Sequence, residues 1–135
     1  MNAIACSLAV FILVPAFAAA QTQKLAPTKT WKGTVADEAL EKAAPKAVVS
    51  QKALDALWAS WSQTEKAPTI DFKKEIVVVT TSRGSVVNLI VTKKEKDLSV
   101  SGFGTRDLRP GFRFVAGSIP REGIETINGE ALPKE

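Results

Sequence analysis

Leu54, Leu57, Trp58 and Trp61 recur at i, i+3, i+4 and i+7, while Lys52, Asp55 and Ser60 fall elsewhere around the same turns. That pattern predicts one amphipathic helix with Ser50 as its N-cap. At this spacing the paired tryptophans read as core anchors, the alternative being an aromatic platform for a ligand such as a sugar ring. Beyond the helix the period changes to that of strands. Ile76 to Thr81 is an unbroken β-branched run, expected to be a central strand buried on both faces. Ser82-Arg83-Gly84-Ser85 reads as a turn, and Val86 to Thr92 returns as a second strand. Polar Lys93 to Asp97 then makes a hairpin tip, and Leu98 to Ser101 alternates as a half-exposed strand. Phe112 to Ile119 is a fourth strand, with Phe112, Phe114 and Ala116 on one face. Asn128-Gly129 is the dipeptide favoured in two-residue hairpin turns, because both positions accept φ above zero.

Ahead of the helix the pattern is weaker. Trp31 to Val35 reads as a short strand and Gln21 to Lys29 as a flexible polar tether. Asp37 to Ala44 has the composition of two helical turns stopped by Pro45, with an extended loop as the competing reading. The order of elements predicts one α+β domain over residues 30–135. In it, an antiparallel β-sheet of about five to seven strands packs against one main α-helix.

The first twenty residues belong to another class of segment. Ala3 to Ala20 is apolar apart from Ser7 and Pro15, and small Ala18 and Ala20 precede polar Gln21. We expect a signal peptide over residues 1–20, cleaved near Ala20, and export to the periplasm or the medium. An uncleaved N-terminal membrane anchor is the alternative, since a span needs about 20 apolar residues. Pro15, the many small alanines and the lack of a basic flank weigh against it. Cys6 precedes the apolar core, whereas a lipid-modified cysteine must follow it.

Composition removes many chemistries. The chain holds 18 Lys and Arg against 14 Asp and Glu, a net +4, too mild an excess for a nucleic-acid footprint. It has no His and no Tyr, and its one Cys lies in the expected signal. A disulfide, a zinc site and His-dependent nucleophilic catalysis are therefore not expected, and no cofactor or metal is implied. We expect no catalytic residue, no nucleic-acid partner and no membrane contact after signal cleavage.

Three clusters merit weighing. The Lys93-Lys94-Glu95-Lys96-Asp97 run is read as a solvated hairpin tip. Arg106, Arg109, Arg113 and Arg121 lie around one loop-strand segment, and arginine forks bind carboxylate or phosphate in pairs. They are the candidate partner or anion contact, set against a reading as surface charges paired with Asp107 and Glu122. Asp71 and Glu75 precede the central strand and would serve a glycosidase only across a cleft; Asp71 as a local cap or turn acceptor is the simpler account.

The features from Trp31 to Pro133 resemble a group of small exported bacterial proteins of uncharacterised function. That resemblance rests on Trp31-Lys32-Gly33, Leu57-Trp58, Asp71-Phe72-Lys73-Lys74-Glu75 before a valine strand, and Arg109-Pro110-Gly111-Phe112. More distantly, the order is similar to the C-terminal domain of PrcB, a stabilising subunit of a surface protease complex. The resemblance implies an exported, non-catalytic accessory module that docks on an envelope or secreted protein, a protease complex among the candidates. It carries over no catalytic residues. The alternatives are a small-ligand-binding domain and a carboxylate-dependent cell-wall hydrolase.

Overall fold

The computed structural model describes residues 21–134, so the expected signal peptide lies outside the described residues. In chain order the elements are β1 (Gln23–Leu25), β2 (Thr30–Val35), a 3₁₀-helix (Glu38–Ala43), β3 (Ala47–Val48) and α1 (Gln51–Ser60). They continue with β4 (Glu75–Ser82), β5 (Val87–Lys94), β6 (Asp97–Gly104), β7 (Phe112–Pro120), β8 (Thr126–Ile127) and β9 (Glu130–Ala131). The molecule is α+β and mostly antiparallel, with one parallel pair among the described residues, β6 with β8.

The expectation of a single sheet is met only loosely. The strands divide into a four-stranded sheet, ordered β2-β7-β4-β3, and a five-stranded sheet, ordered β1-β5-β6-β8-β9. The reason lies in β4, whose residues Ile76 to Thr80 are all buried. A helix can cover only one face of such a strand. Val77 and Val79 pack towards α1 with Leu54, Trp58, Trp61, Phe112 and Phe114. Ile76 and Val78 point the other way, onto Val91, Leu98 and Val100 of the second sheet. The result is three layers, with β4 and β7 in the middle one. Close approach of the sheets depends on Gly102 of β6, where a Cβ would collide with Thr80 Oγ1.

Local sequence signals account for the smaller elements. Ser50 caps α1 by accepting from the Ala53 N–H at 3.2 Å. The Asp37–Ala44 stretch becomes a 3₁₀-helix, with Asp37 accepting from the Ala39 N–H. Asn128 and Gly129 turn β8 into β9 with φ of 50° and 80°. The Gln21–Lys29 stretch, expected as a tether, carries β1, which pairs with β5 from Gln23↔Lys93 to Leu25↔Val91.

Candidate functional site

β4 ends, β5 begins, β6 ends and β7 begins at one edge of the layers, since Ser82 pairs with Arg113 and Val87 with Gly104. Two loops meet there, Arg83–Val86 and Thr105–Gly111. They are stitched together by polar contacts. The Thr105 N–H donates to the Val86 carbonyl at 3.1 Å, and the Arg109 N–H to the Arg83 carbonyl at 2.9 Å. The Val86 N–H donates to Thr105 Oγ1, and the Ser85 N–H to Asp107 Oδ1, both at 3.1 Å. Hydrogen bonds from Thr105 and Ser85 hold the Asp107 carboxyl well below the usual carboxylate range.

Arg113 sits beneath these loops, on the face of β7 opposite Phe112 and Phe114. Its Nη1 donates to the Arg83 and Gly84 carbonyls at 3.1 Å each, and its Nη2 to the Pro110 carbonyl at 2.6 Å. A guanidinium fork suits three convergent carbonyls, and the site leaves its charge without a carboxylate partner among the described residues. Arg109 pairs with Asp107 at 3.2 Å in an exposed contact, and Arg106 is exposed.

Arg121 does not join them. It follows the far end of β7, and at about 3.3 Å per residue the strand puts it roughly 26 Å from Arg113. Its Nη1 donates to the Phe72 carbonyl at 2.8 Å, closing the opposite end. Arg83 takes its place in the cluster through an ion pair with Glu38 at 2.6 Å. Sequence spacing missed Arg83 because the loops converge only through β4–β7 pairing.

The apolar surface of this region was also missed. Among the described residues the exposed large hydrophobics are Val86 (50%), Ile90 (38%), Phe103 (68%) and Leu108 (77%), all on β5, β6 or the adjoining loops. A signal existed: Leu98 and Val100 set the inward phase of β6, and Phe103 falls on the opposite one.

The remaining candidates are structural. Trp58 and Trp61 are buried to 7% and 3% exposure, with ring centroids 4.8–5.5 Å from Phe112 and Phe114. They are core anchors, not a platform. Asp71 accepts from the Lys73 N–H at 3.2 Å, as a turn residue does. Lys94 to Asp97 surround a two-residue hairpin turn at Glu95 and Lys96. Among the described residues no group of three or more Asp, Glu, Cys or His could hold a metal, and no helix is long and apolar enough to cross a membrane. Comparison of the chain with protein families, curated proteins and solved structures finds no match.

Proposed function

We propose that this chain is an exported, non-catalytic accessory module that docks on an envelope or secreted protein, with a surface protease complex as the first partner to examine. The observation that carries the reading is that Val86, Ile90, Phe103 and Leu108 are exposed on β5, β6 or the adjoining loops, Ile90 and Phe103 on the same outward face, and that the loop carrying Leu108 also presents exposed Arg106 and Arg109. Interface centres are enriched in aromatic, large apolar and arginine side chains, and a few such residues dominate binding. The loops presenting them are fixed by hydrogen bonds, which lowers the entropy lost on docking.

The test is crosslinked capture from envelope extract with tagged protein, comparing wild type with the double variant Phe103→Ser and Leu108→Ser. Both side chains are exposed, so the unfolding free energy in urea should stay within about 0.5 kcal/mol of wild type while capture of a stoichiometric partner is lost. Capture by the double variant at wild-type level would refute this surface. Absence of any partner for the wild type would refute the accessory role.

A further inference from the structure

β2 is the outermost strand of its sheet, and no strand lies beyond it among the described residues. Ser118 donates its N–H to the Lys29 carbonyl at 3.0 Å, which sets the phase of the β2–β7 ladder. By antiparallel alternation, Trp31 and Gly33 turn their backbone groups to β7, and Thr30, Lys32 and Thr34 turn theirs outward. Thr34 shows that direction directly, since its carbonyl accepts from Gln63 Nε2 at 3.3 Å. Thr30 and Lys32 are exposed and present the open part of the edge.

A hollow flanks each side of this edge. On the inter-sheet side, a cavity of about 340 Å³ is bounded by Lys32, Thr34, Ser85, Val87 and Arg113. β1 pairs with β5 only as far as Val91, so among the described residues no strand pairs with that edge of β5 from Val87 to Ile90. On the helix side, a cavity of about 520 Å³ is bounded by Trp31, Trp58, Phe114, Gln63 and Pro68. Successive side chains of an extended strand point to opposite faces. A guest strand paired to β2 would therefore send alternate side chains into the two hollows.

Charge identifies the guest. Lys32 and Arg113 are the only charged residues bounding the first hollow, and neither forms an ion pair among the described residues. The second hollow joins half-buried Trp31 to polar Gln63, Glu65 and Lys66. A lone edge lysine would discourage strand pairing with other chains; here it stands beside a second unneutralised cation over a cavity. We propose that the β2 edge docks an extended peptide segment of the partner by strand addition. Acidic side chains of that segment enter the Lys32–Arg113 hollow, and the intervening ones lie along Trp31. The inference rests on the accessory-module reading for the existence of a partner, and it adds the chemistry of the segment recognised.

The test uses ¹⁵N-labelled protein purified after expression of the full chain. It is titrated with octapeptides of alternating glutamate and valine, alternating lysine and valine, and the glutamate peptide N-methylated at alternate backbone nitrogens. The glutamate peptide should shift the Thr30 and Lys32 amides, and the other two should bind at least about 10-fold more weakly. Lys32→Glu should reverse the charge preference. Lys32→Pro removes an outward N–H and spares the β7 ladder, so it should weaken the glutamate peptide by about 10-fold with β7 amide shifts unchanged. No shift at β2 with any peptide, or equal binding of the three, would overturn the proposal. Envelope capture separates the two readings: a partner retained by Lys32→Pro but lost with Phe103→Ser and Leu108→Ser overturns strand addition alone. If the wild type captures no partner, the accessory role falls, and the peptide titration still decides the edge.

Discussion

Phe112, Arg113 and Phe114 are consecutive residues that hold two regions by opposite means. Phe112 and Phe114 meet Trp58 and Trp61 in ring contacts that seat α1 on the central sheet. Arg113, pointing to the other face, fixes two loops through three carbonyl hydrogen bonds. Ring burial is large but non-directional, so it fastens a helix without specifying fine geometry. The arginine fork is directional, so it fixes where the loops run while leaving Phe103 and Leu108 outside. One region supplies stability and the other supplies a shaped surface.

Removing an aromatic anchor should have the largest effect. Trp61→Ala takes away contacts to both Phe112 and Phe114 and should lower stability by about 3–5 kcal/mol in urea unfolding. A loss below about 1 kcal/mol would show that the helix side is not the main reservoir of stability.

Arg113→Ala should come next, at about 2–3 kcal/mol, because hydrogen bonds from a charged donor to three carbonyls disappear together. Native-state exchange should speed up at the Arg109 amide, which bonds the Arg83 carbonyl, and leave α1 protected. Arg121→Ala removes one carbonyl contact at the opposite end and should lose only about 1 kcal/mol. Equal losses for the two arginines would erase the distinction between a fastened loop surface and a simple end closure.

The smallest effect concerns pH. The Asp107 carboxyl is depressed by Thr105 and Ser85, so its contribution is fully present above the unfolded value of about 4 and fades as pH falls through the lower folded value. Asp97, at the other end, has the same sign through hydrogen bonds from Thr126 and the Gly129 N–H. Protection of the Ser85 amide, the factor by which it exchanges more slowly than an unstructured chain at the same pH, should fall on acidification from about pH 5 to about pH 2 in wild type, and change little in Asp107→Asn. A flat wild-type profile would show that the carboxylate does not tie the two loops.

Much of the local structure was legible. The i, i+3, i+4, i+7 spacing located α1 to within a residue of Gln51–Ser60, and the β-branched run located β4. Asn128-Gly129 marked the turn it makes. The candidate site was legible only in part. Arg106, Arg109 and Arg113 gather at one end, while Arg121 lies at the other, because a strand carries equal residue types along its length rather than around a point.

The sequence by itself determined α1, the strands β4 to β7 and the Asn128-Gly129 turn, because period and propensity act over neighbouring residues, but not β1, which forms where a polar tether was expected. It also carried the need for two covers, in the unbroken apolar run of β4. Only the tertiary structure decided that the second cover is another sheet, that Arg83 replaces Arg121 beside Arg113, and that β2 is left as an edge. Those outcomes depend on pairings between distant segments, such as Glu75–Ser82 with Phe112–Pro120. Strand order follows from how buried faces and close-packed glycines fit together, and no short window of sequence contains that information.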